Sequence, residues 1–128
     1  MPETKRVFCV VPPGAKFVRE DRCQTPIKKL KTVALRPPID LMYCAASFEA
    51  AGCAVRFTDY SAAELSWNDL ERDIRAFAPT DVVISVTTLS IEQDLRVAET
   101  AKRFFPALRT IAVGAHFQTC LLYTSRCV

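Results

Sequence analysis

The feature that most constrains the fold of this chain is the alternation of short apolar runs with longer helical patterns. Four runs predict β-strands at residues 7–12, 54–60, 81–86 and 108–114. The first, third and fourth runs are apolar almost throughout, which is typical of strands buried on both faces of a parallel sheet. The pattern therefore predicts a parallel sheet with a layer of helices on each side.

Three segments between these runs predict helices at residues 39–51, 66–77 and 90–106. Ser66 is expected to cap the second helix, with Asp69 three residues on in a pattern close to a capping box. Ser90 is expected to cap the third helix, with Gln93 in the answering position. The inner face of the third helix is predicted from its apolar spacing as Leu95, Ala98, Ala101 and Phe105, with Lys102 at its edge.

This order of elements predicts one α/β domain, a doubly wound, Rossmann-like parallel sheet with right-handed crossovers. The flavodoxin-like strand order 2-1-3-4-5 is the favoured topology. Because only four strands are evident, we expect the sheet to be incomplete. The ending "LLYTSRCV" resembles translated adapter sequence. We therefore expect the domain to span residues 1–117 and treat residues 118–128 as a suspect tail.

The first predicted helix is unusually apolar. Between residues 39 and 51, only Asp40, Ser47 and Glu49 are polar, whereas a surface helix normally has a wide polar face. One side of this helix is expected to cover the sheet. The other side is expected to meet a second domain, a partner chain or a large cofactor.

Charge and cysteine content exclude several classes of protein. The net charge of the chain is only +3, although residues 13–37 carry a local net charge of +5. Phe17 is the one aromatic residue of that segment, so stacking on nucleic-acid bases is poorly supported and no nucleic-acid partner is expected. The six cysteines form no C-x-x-C pair, which favours reduced thiols over disulfides or a metal site. With no secretory signal and no apolar stretch near ~20 residues, we expect a cytoplasmic chain without a membrane span.

Ligands of open parallel sheets bind beyond the carboxyl ends of the strands. Small and hydroxyl-bearing residues follow three of the predicted strands in this chain, as "PPG", "TTLS" and "GAHF". Small side chains let a bulky ligand approach the backbone, and helix starts offer N–H donors to an anionic group. The alternatives remain that the hydroxyls only cap a helix, that Gly114 only serves a tight turn, and that His116 is an ordinary surface residue.

Familiar catalytic and phosphate-binding motifs are absent from the sequence. Three glycines, Gly14, Gly52 and Gly114, cannot form G-x-G-x-x-G or a P-loop. The chain has a single histidine and no convincing Ser/His/Asp set. We therefore expect no catalytic residues within this chain.

The segments "VVPPGAKFVRED", "RPPIDLMYCAASFEAAGCAVRFTDY", "DVVISVTTLS" and "IAVGAHF" together resemble the N-terminal cobalamin (B12)-binding domain of B12-dependent radical SAM proteins. Their order and spacing match that family over residues 6–117. Two departures stand out. Ala115 replaces the second glycine of the family's Gly-Gly-x-His-like turn, and the D-x-H-x-x-G signature that supplies a lower-face cobalt ligand in other corrinoid proteins is missing.

The resemblance implies cobalamin as the cofactor and assigns its binding residues. Those near the corrin or its tail would be Pro12, Pro13 and Gly14. Those lining the nucleotide-tail pocket would be Ser85, Thr87, Thr88 and Leu89. Those forming the adjacent wall would be Gly114, Ala115 and His116.

The resemblance also implies a parent enzyme from which this chain is truncated. The missing C-terminal radical SAM domain would bind S-adenosylmethionine and a [4Fe–4S] cluster and would catalyse methyl transfer or a radical rearrangement. It would carry the cluster motif C-x-x-x-C-x-x-C, and this cysteine spacing does not occur in the present sequence. The chain itself would hold cobalamin and not be catalytic alone. The alternatives are a receiver-like regulatory or interaction domain, which needs an acidic cluster after the first strand, and a flavin or nucleotide domain, which needs a Ser/Thr/Gly-rich loop there.

Overall fold

A computed structural model describes residues 3–14, 37–114 and 116–119 of the chain. Every predicted strand and helix is present, and the predicted ends agree to within two residues. A short helix after the last strand had not been predicted. In chain order the elements are β1 (Arg6–Val11), α1 (Ile39–Ala50), β2 (Ala54–Asp59), α2 (Trp67–Phe77), β3 (Asp81–Ser85), α3 (Ile91–Phe104), β4 (Arg109–Val113) and α4 (His116–Thr119).

The four strands form one parallel sheet in the order β2-β1-β3-β4. In the centre of the sheet, Cys9 of β1 is in register with Phe57 on one side and with Val83 on the other. The last register pair is Ser85 of β3 with Val113 of β4. This order confirms the flavodoxin-like, doubly wound α/β fold, and it brings the carboxyl ends of all four strands to one edge.

Alternate side chains of β1 and β3 are buried in two separate layers, which confirms that these strands are covered on both faces. On one face they pack against α1. On the other face they pack against α2 and α3. The first layer contains Val7, Cys9, Val11, Leu41, Ala45 and Val83; the second contains Phe8, Val10, Val82, Ile84, Leu70, Ile74, Val97 and Ala101.

The prediction that the fourth strand is also buried on both faces was wrong. Arg109 and Ala112 of β4 are exposed, and the three other residues of this strand are only half-buried. Among the described residues β4 pairs with β3 alone, so it lies at an edge of the sheet. The apolar composition of β4 therefore led to an expectation of burial on both faces, which a strand at the edge of the sheet does not reach.

One of the two predicted helix caps is confirmed. The Ser66 hydroxyl accepts from the Asp69 N–H at 3.2 Å, and the Asp69 carboxylate accepts from the Ser66 N–H at 2.9 Å, which completes a capping box. The hydrogen bonds from the Ser66 backbone and hydroxyl hold the pKa of Asp69 below its usual value.

The prediction for the start of α3 was wrong. Ser90 precedes the helix but makes no side-chain capping bond. Its hydroxyl instead donates to the carboxylate of Asp94 at 2.6 Å, and Asp94 is fully buried. Of the predicted inner face of α3, Ala101 is buried and Ala98 and Phe105 pack against the core, but Leu95 is exposed. The residues that α3 buries are Asp94, Val97, Thr100 and Ala101.

Helix α1 covers the sheet with only part of its apolar surface. Leu41 and Ala45 are buried against β1 and β3. Ile39, Met42 and Tyr43 are 56%, 46% and 71% exposed. One side therefore packs on the sheet as expected, and the other presents large apolar side chains. Within the described ranges, no helix combines the length and apolar character needed to cross a bilayer.

Three of the six cysteines lie in the described residues, and all three are free thiols. Cys9 is fully buried, whereas Cys44 and Cys53 are partly exposed. Burial raises the pKa of the Cys9 thiol to about 11. In the part of the chain that is described, no group of three or more His, Cys, Asp or Glu residues could hold a metal ion. Residues 13–37, which carry the local net charge of +5, lie almost entirely outside the described residues.

Candidate functional site

The candidate site is the carboxyl edge of the sheet, where the chain leaves neighbouring strands in opposite directions. After β1 the chain crosses to α1 on one face, and after β3 it enters α3 on the other face. Because β1 and β3 are neighbours, the helices that follow them lie on opposite faces of the sheet at this point. This is the topological switch point at which doubly wound folds bind ligands.

The segment after β1 is held close to the beginning of α3. Pro12 and Pro13 are buried and Gly14 is exposed. The Ser61 hydroxyl, from the segment after β2, donates to the Gly14 carbonyl at 3.4 Å. A Cβ on Gly14 would lie 2.9 Å from Oε1 of Gln93. The β1 segment therefore runs between the β2 connection and α3, and a side chain at residue 14 would require the Gln93 amide to move.

The segment after β3 turns two hydroxyls inward and two side chains outward. Thr87 and Ser90 are buried, and their hydroxyl oxygens lie 2.7 Å apart. Thr88 is exposed, and Leu89 is 54% exposed. Ser85, the last residue of β3, is half-buried. The part of this segment that can meet a ligand is therefore its tip, formed by Thr88 and Leu89.

The segment after β4 is fixed to the segment after β3 by backbone contacts. The Val86 N–H donates to the Val113 carbonyl at 2.7 Å, and the His116 N–H donates to the Val86 carbonyl at 3.4 Å. A Cβ on Gly114 would lie only 2.6 Å from the Val86 oxygen. Gly114 is therefore required for the close approach of the two segments, as the tight-turn alternative expected.

A side-chain contact joins the same two segments. The Oγ1 atom of Thr88 lies 3.1 Å from Nδ1 of His116, which is buried in the first turn of α4. The imidazole also makes an edge-on contact with the ring of Phe117 at 5.7 Å. His116 is thus a packed residue of the site and not the ordinary surface histidine of the alternative interpretation.

Nine of the ten predicted site residues are described, and all nine lie at or just after the carboxyl ends of β1, β3 and β4 at one edge. Ala115 lies outside the described residues. Gly14, Thr88 and Leu89 are the exposed members of this set, while Pro12, Pro13, Thr87 and His116 are buried. The edge thus combines an exposed backbone carbonyl segment, a hydroxyl with an imidazole behind it, and one apolar side chain.

Sequence reasoning missed Asp94 as a member of this edge. It lies in the first turn of α3, where a negative charge also favours the helix start. Its side chain is fully buried, and its Oδ2 atom accepts from the Ser90 hydroxyl at 2.6 Å and from the Thr87 N–H at 3.3 Å. The spacing of Thr87, Ser90 and Asp94 was the available signal, because residues four apart on a helix start share one face.

The chain was compared with known proteins in three ways. The family model of the B12 binding domain matches residues 30–124, which is well over half of the chain. Searches of the curated proteins and of the solved structures found no match. The matched range contains the segments after β3 and β4 that form the candidate site.

Proposed function

The chain belongs to the B12-binding domain family and is a cobalamin-binding domain, and from this premise we propose that cobalamin binds at the carboxyl edge of its sheet. The main support for this location of the cofactor site is the contact between the segments after β3 and β4, which lie beside the switch point. Thr88 and His116 meet there at 3.1 Å. Two of the connections that would hold the cofactor are therefore in direct contact at this edge.

The side chains at this edge suit the nucleotide tail of a cobalamin. The Thr88 hydroxyl is exposed and can donate to, or accept from, the polar groups of the tail. Leu89 offers an exposed apolar surface to a planar ring. Gly14 exposes backbone without a side chain. When bound, the corrinoid supplies the cobalt chemistry, and the chain's own residues bind and orient it.

The direct test is retention of hydroxocobalamin by the full 128-residue chain after desalting, read from the corrinoid absorbance band. Thr88→Trp would fill the exposed tip and is expected to weaken binding at least about tenfold. Ala107→Trp is the matched control, because Ala107 is exposed before β4 at the opposite edge; it is expected to bind as the wild type does. A wild-type chain that emerges without corrinoid would refute the proposal.

We also propose that this domain works in a longer chain beside a radical SAM domain, which would bind S-adenosylmethionine and [4Fe–4S] and perform methyl transfer or a radical rearrangement. Two observations support this: the family-like sequence segments and the apolar surface of α1. Ile39, Met42 and Tyr43 are exposed on its first turns, next to the carboxyl edge where α1 begins.

The coding DNA after codon 117 tests this parentage without any protein. An open frame that continues into C-x-x-x-C-x-x-C is the expected result. A frame that encodes a different kind of domain would contradict it. A receiver-like function is not favoured, because β3 ends in Ser85 where a receiver needs Asp, and Asp81 lies at the opposite end of that strand.

A further inference from the structure

We propose that Asp94 is the positioning residue that fixes the cofactor-binding loop after β3. Asp94 is fully buried. Burying a carboxylate is costly unless donors are directed at it. Two donors to this carboxylate come from the loop of residues 87–90 that follows β3.

Both ends of that loop bond to one carboxylate oxygen. Oδ2 of Asp94 accepts from the Ser90 hydroxyl at 2.6 Å and from the Thr87 N–H at 3.3 Å. The Ser90 hydroxyl has a single hydrogen, and it donates this hydrogen to the carboxylate in a hydrogen bond. The 2.7 Å contact between Thr87 Oγ1 and Ser90 Oγ is therefore donated by Thr87.

This arrangement determines which side chains of the loop reach the candidate site. The Ser90 hydroxyl is directed at Asp94 and the Thr87 hydroxyl at Ser90, and both residues are buried. Thr88 and Leu89 between them must then point outward, and Thr88 comes within 3.1 Å of His116 Nδ1. Asp94 itself is wholly inside the protein and acts on a ligand through this loop.

The inference rests on the proposed cobalamin site, because the benefit of a fixed loop is that the ligand does not have to order it. A site whose loop is held in place by a supporting shell binds with less entropic cost than one ordered by its ligand. Loss of Asp94 is therefore expected to weaken cobalamin binding without removing any group that touches the cofactor.

Four variants of the full chain separate positioning from general stability. Asp94→Ala removes the acceptor and is expected to weaken hydroxocobalamin binding roughly tenfold or more. Asp94→Asn keeps one amide oxygen where both bonds converge, so its affinity is expected to stay within about threefold of the wild type. Ser90→Ala removes only the hydroxyl and is expected to fall between them. Val97→Ala, one turn along the same buried face, lowers stability but is expected to bind as the wild type does.

Amide hydrogen exchange supplies a readout that needs no cofactor. In the wild type the Thr87 amide is expected to be protected, since it donates to Asp94. Asp94→Ala should accelerate exchange at Thr87 and its loop neighbours at least about tenfold more than Val97→Ala does. If Asp94→Ala does not fold, Ser90→Ala and Asp94→Asn carry the same comparison.

The outcomes are distinguishable. Unchanged loop exchange in Asp94→Ala, equal losses of affinity in Asp94→Ala and Val97→Ala, or equal losses in Asp94→Ala and Asp94→Asn would each overturn the positioning role. A wild-type chain that binds no hydroxocobalamin would instead overturn the proposed function, and loop exchange would still decide the role of Asp94.

Discussion

The close approach between the β3 and β4 segments makes Gly114 the most sensitive backbone position at the candidate site. Its φ is +123°, and a Cβ built on it would lie 2.6 Å from the oxygen and 3.0 Å from the nitrogen of Val86. Both of these atoms belong to backbone. Gly114→Ala must therefore displace main chain and cannot be relieved by a side-chain rotation.

The expected cost has two parts. A non-glycine residue at such a φ costs about 1–3 kcal/mol. Moving Val86 weakens its two backbone hydrogen bonds, to Val113 and from His116, each worth ~1 kcal/mol. The free energy of unfolding is therefore expected to fall by about 2–5 kcal/mol, which lowers Tm by roughly 10–20 °C in a domain of this size.

Urea unfolding followed by circular dichroism measures this loss, and Gly52→Ala provides the control. Gly52 also has a positive φ, +86°, but a Cβ there would meet nothing within 4 Å, so its substitution costs only backbone strain. Gly114→Ala should be the more damaging by at least about 1 kcal/mol. Equal losses in the two variants, or a neutral Gly114→Ala, would refute the close approach.

Two further predictions concern titrating groups away from the site. Burial raises the pKa of Asp81, but hydrogen bonds from Thr80 and from Arg109, at 2.6 Å each, outweigh it and leave the pKa below its usual value. The ionised Asp81 therefore stabilises the protein above about pH 4, and this stabilisation is lost as the pH falls through the lowered pKa. Between about pH 6 and about pH 3, the Tm of Asp81→Asn should fall less than the Tm of the wild type. Parallel profiles of Tm against pH in the two proteins would contradict this. Because burial and, second, the neighbouring Cys44 raise the pKa of Cys9 to about 11, Cys9 should resist alkylation at about pH 8 in the native protein and react after unfolding. Peptide mapping measures the labelling, and rapid native labelling of Cys9 would contradict the assignment.

The fold could be predicted from the sequence because buried positions are occupied by apolar residues at regular spacings. The apolar runs of β1 and β3 are covered on both faces, and their strong periodicity set the element order and hence the sheet topology. The run of β4 has the same composition but lies at the edge of the sheet. Composition reports the apolar character of a strand and not the neighbours it finally has, so this strand's burial could not be predicted.

The site was predicted by its segments more accurately than by its individual side chains. The edge itself follows from the topology of a parallel sheet. The directions of neighbouring side chains do not, because they depend on tertiary hydrogen bonds. Ser90 has the sequence of a helix cap, yet its hydroxyl donates to Asp94, and α3 buries this carboxylate while the apolar Leu95 is exposed.

Backbone amide chemical shifts of the labelled chain, recorded before and after addition of hydroxocobalamin, test the central claim most directly. The account predicts that the largest changes fall at the carboxyl edge, at Gly14, Thr88 and His116. Amides at the opposite edge, including Lys5 and Thr80, should hardly change. Changes centred on that opposite edge, or none at saturating cofactor, would contradict a cobalamin site formed by the connections after β1, β3 and β4.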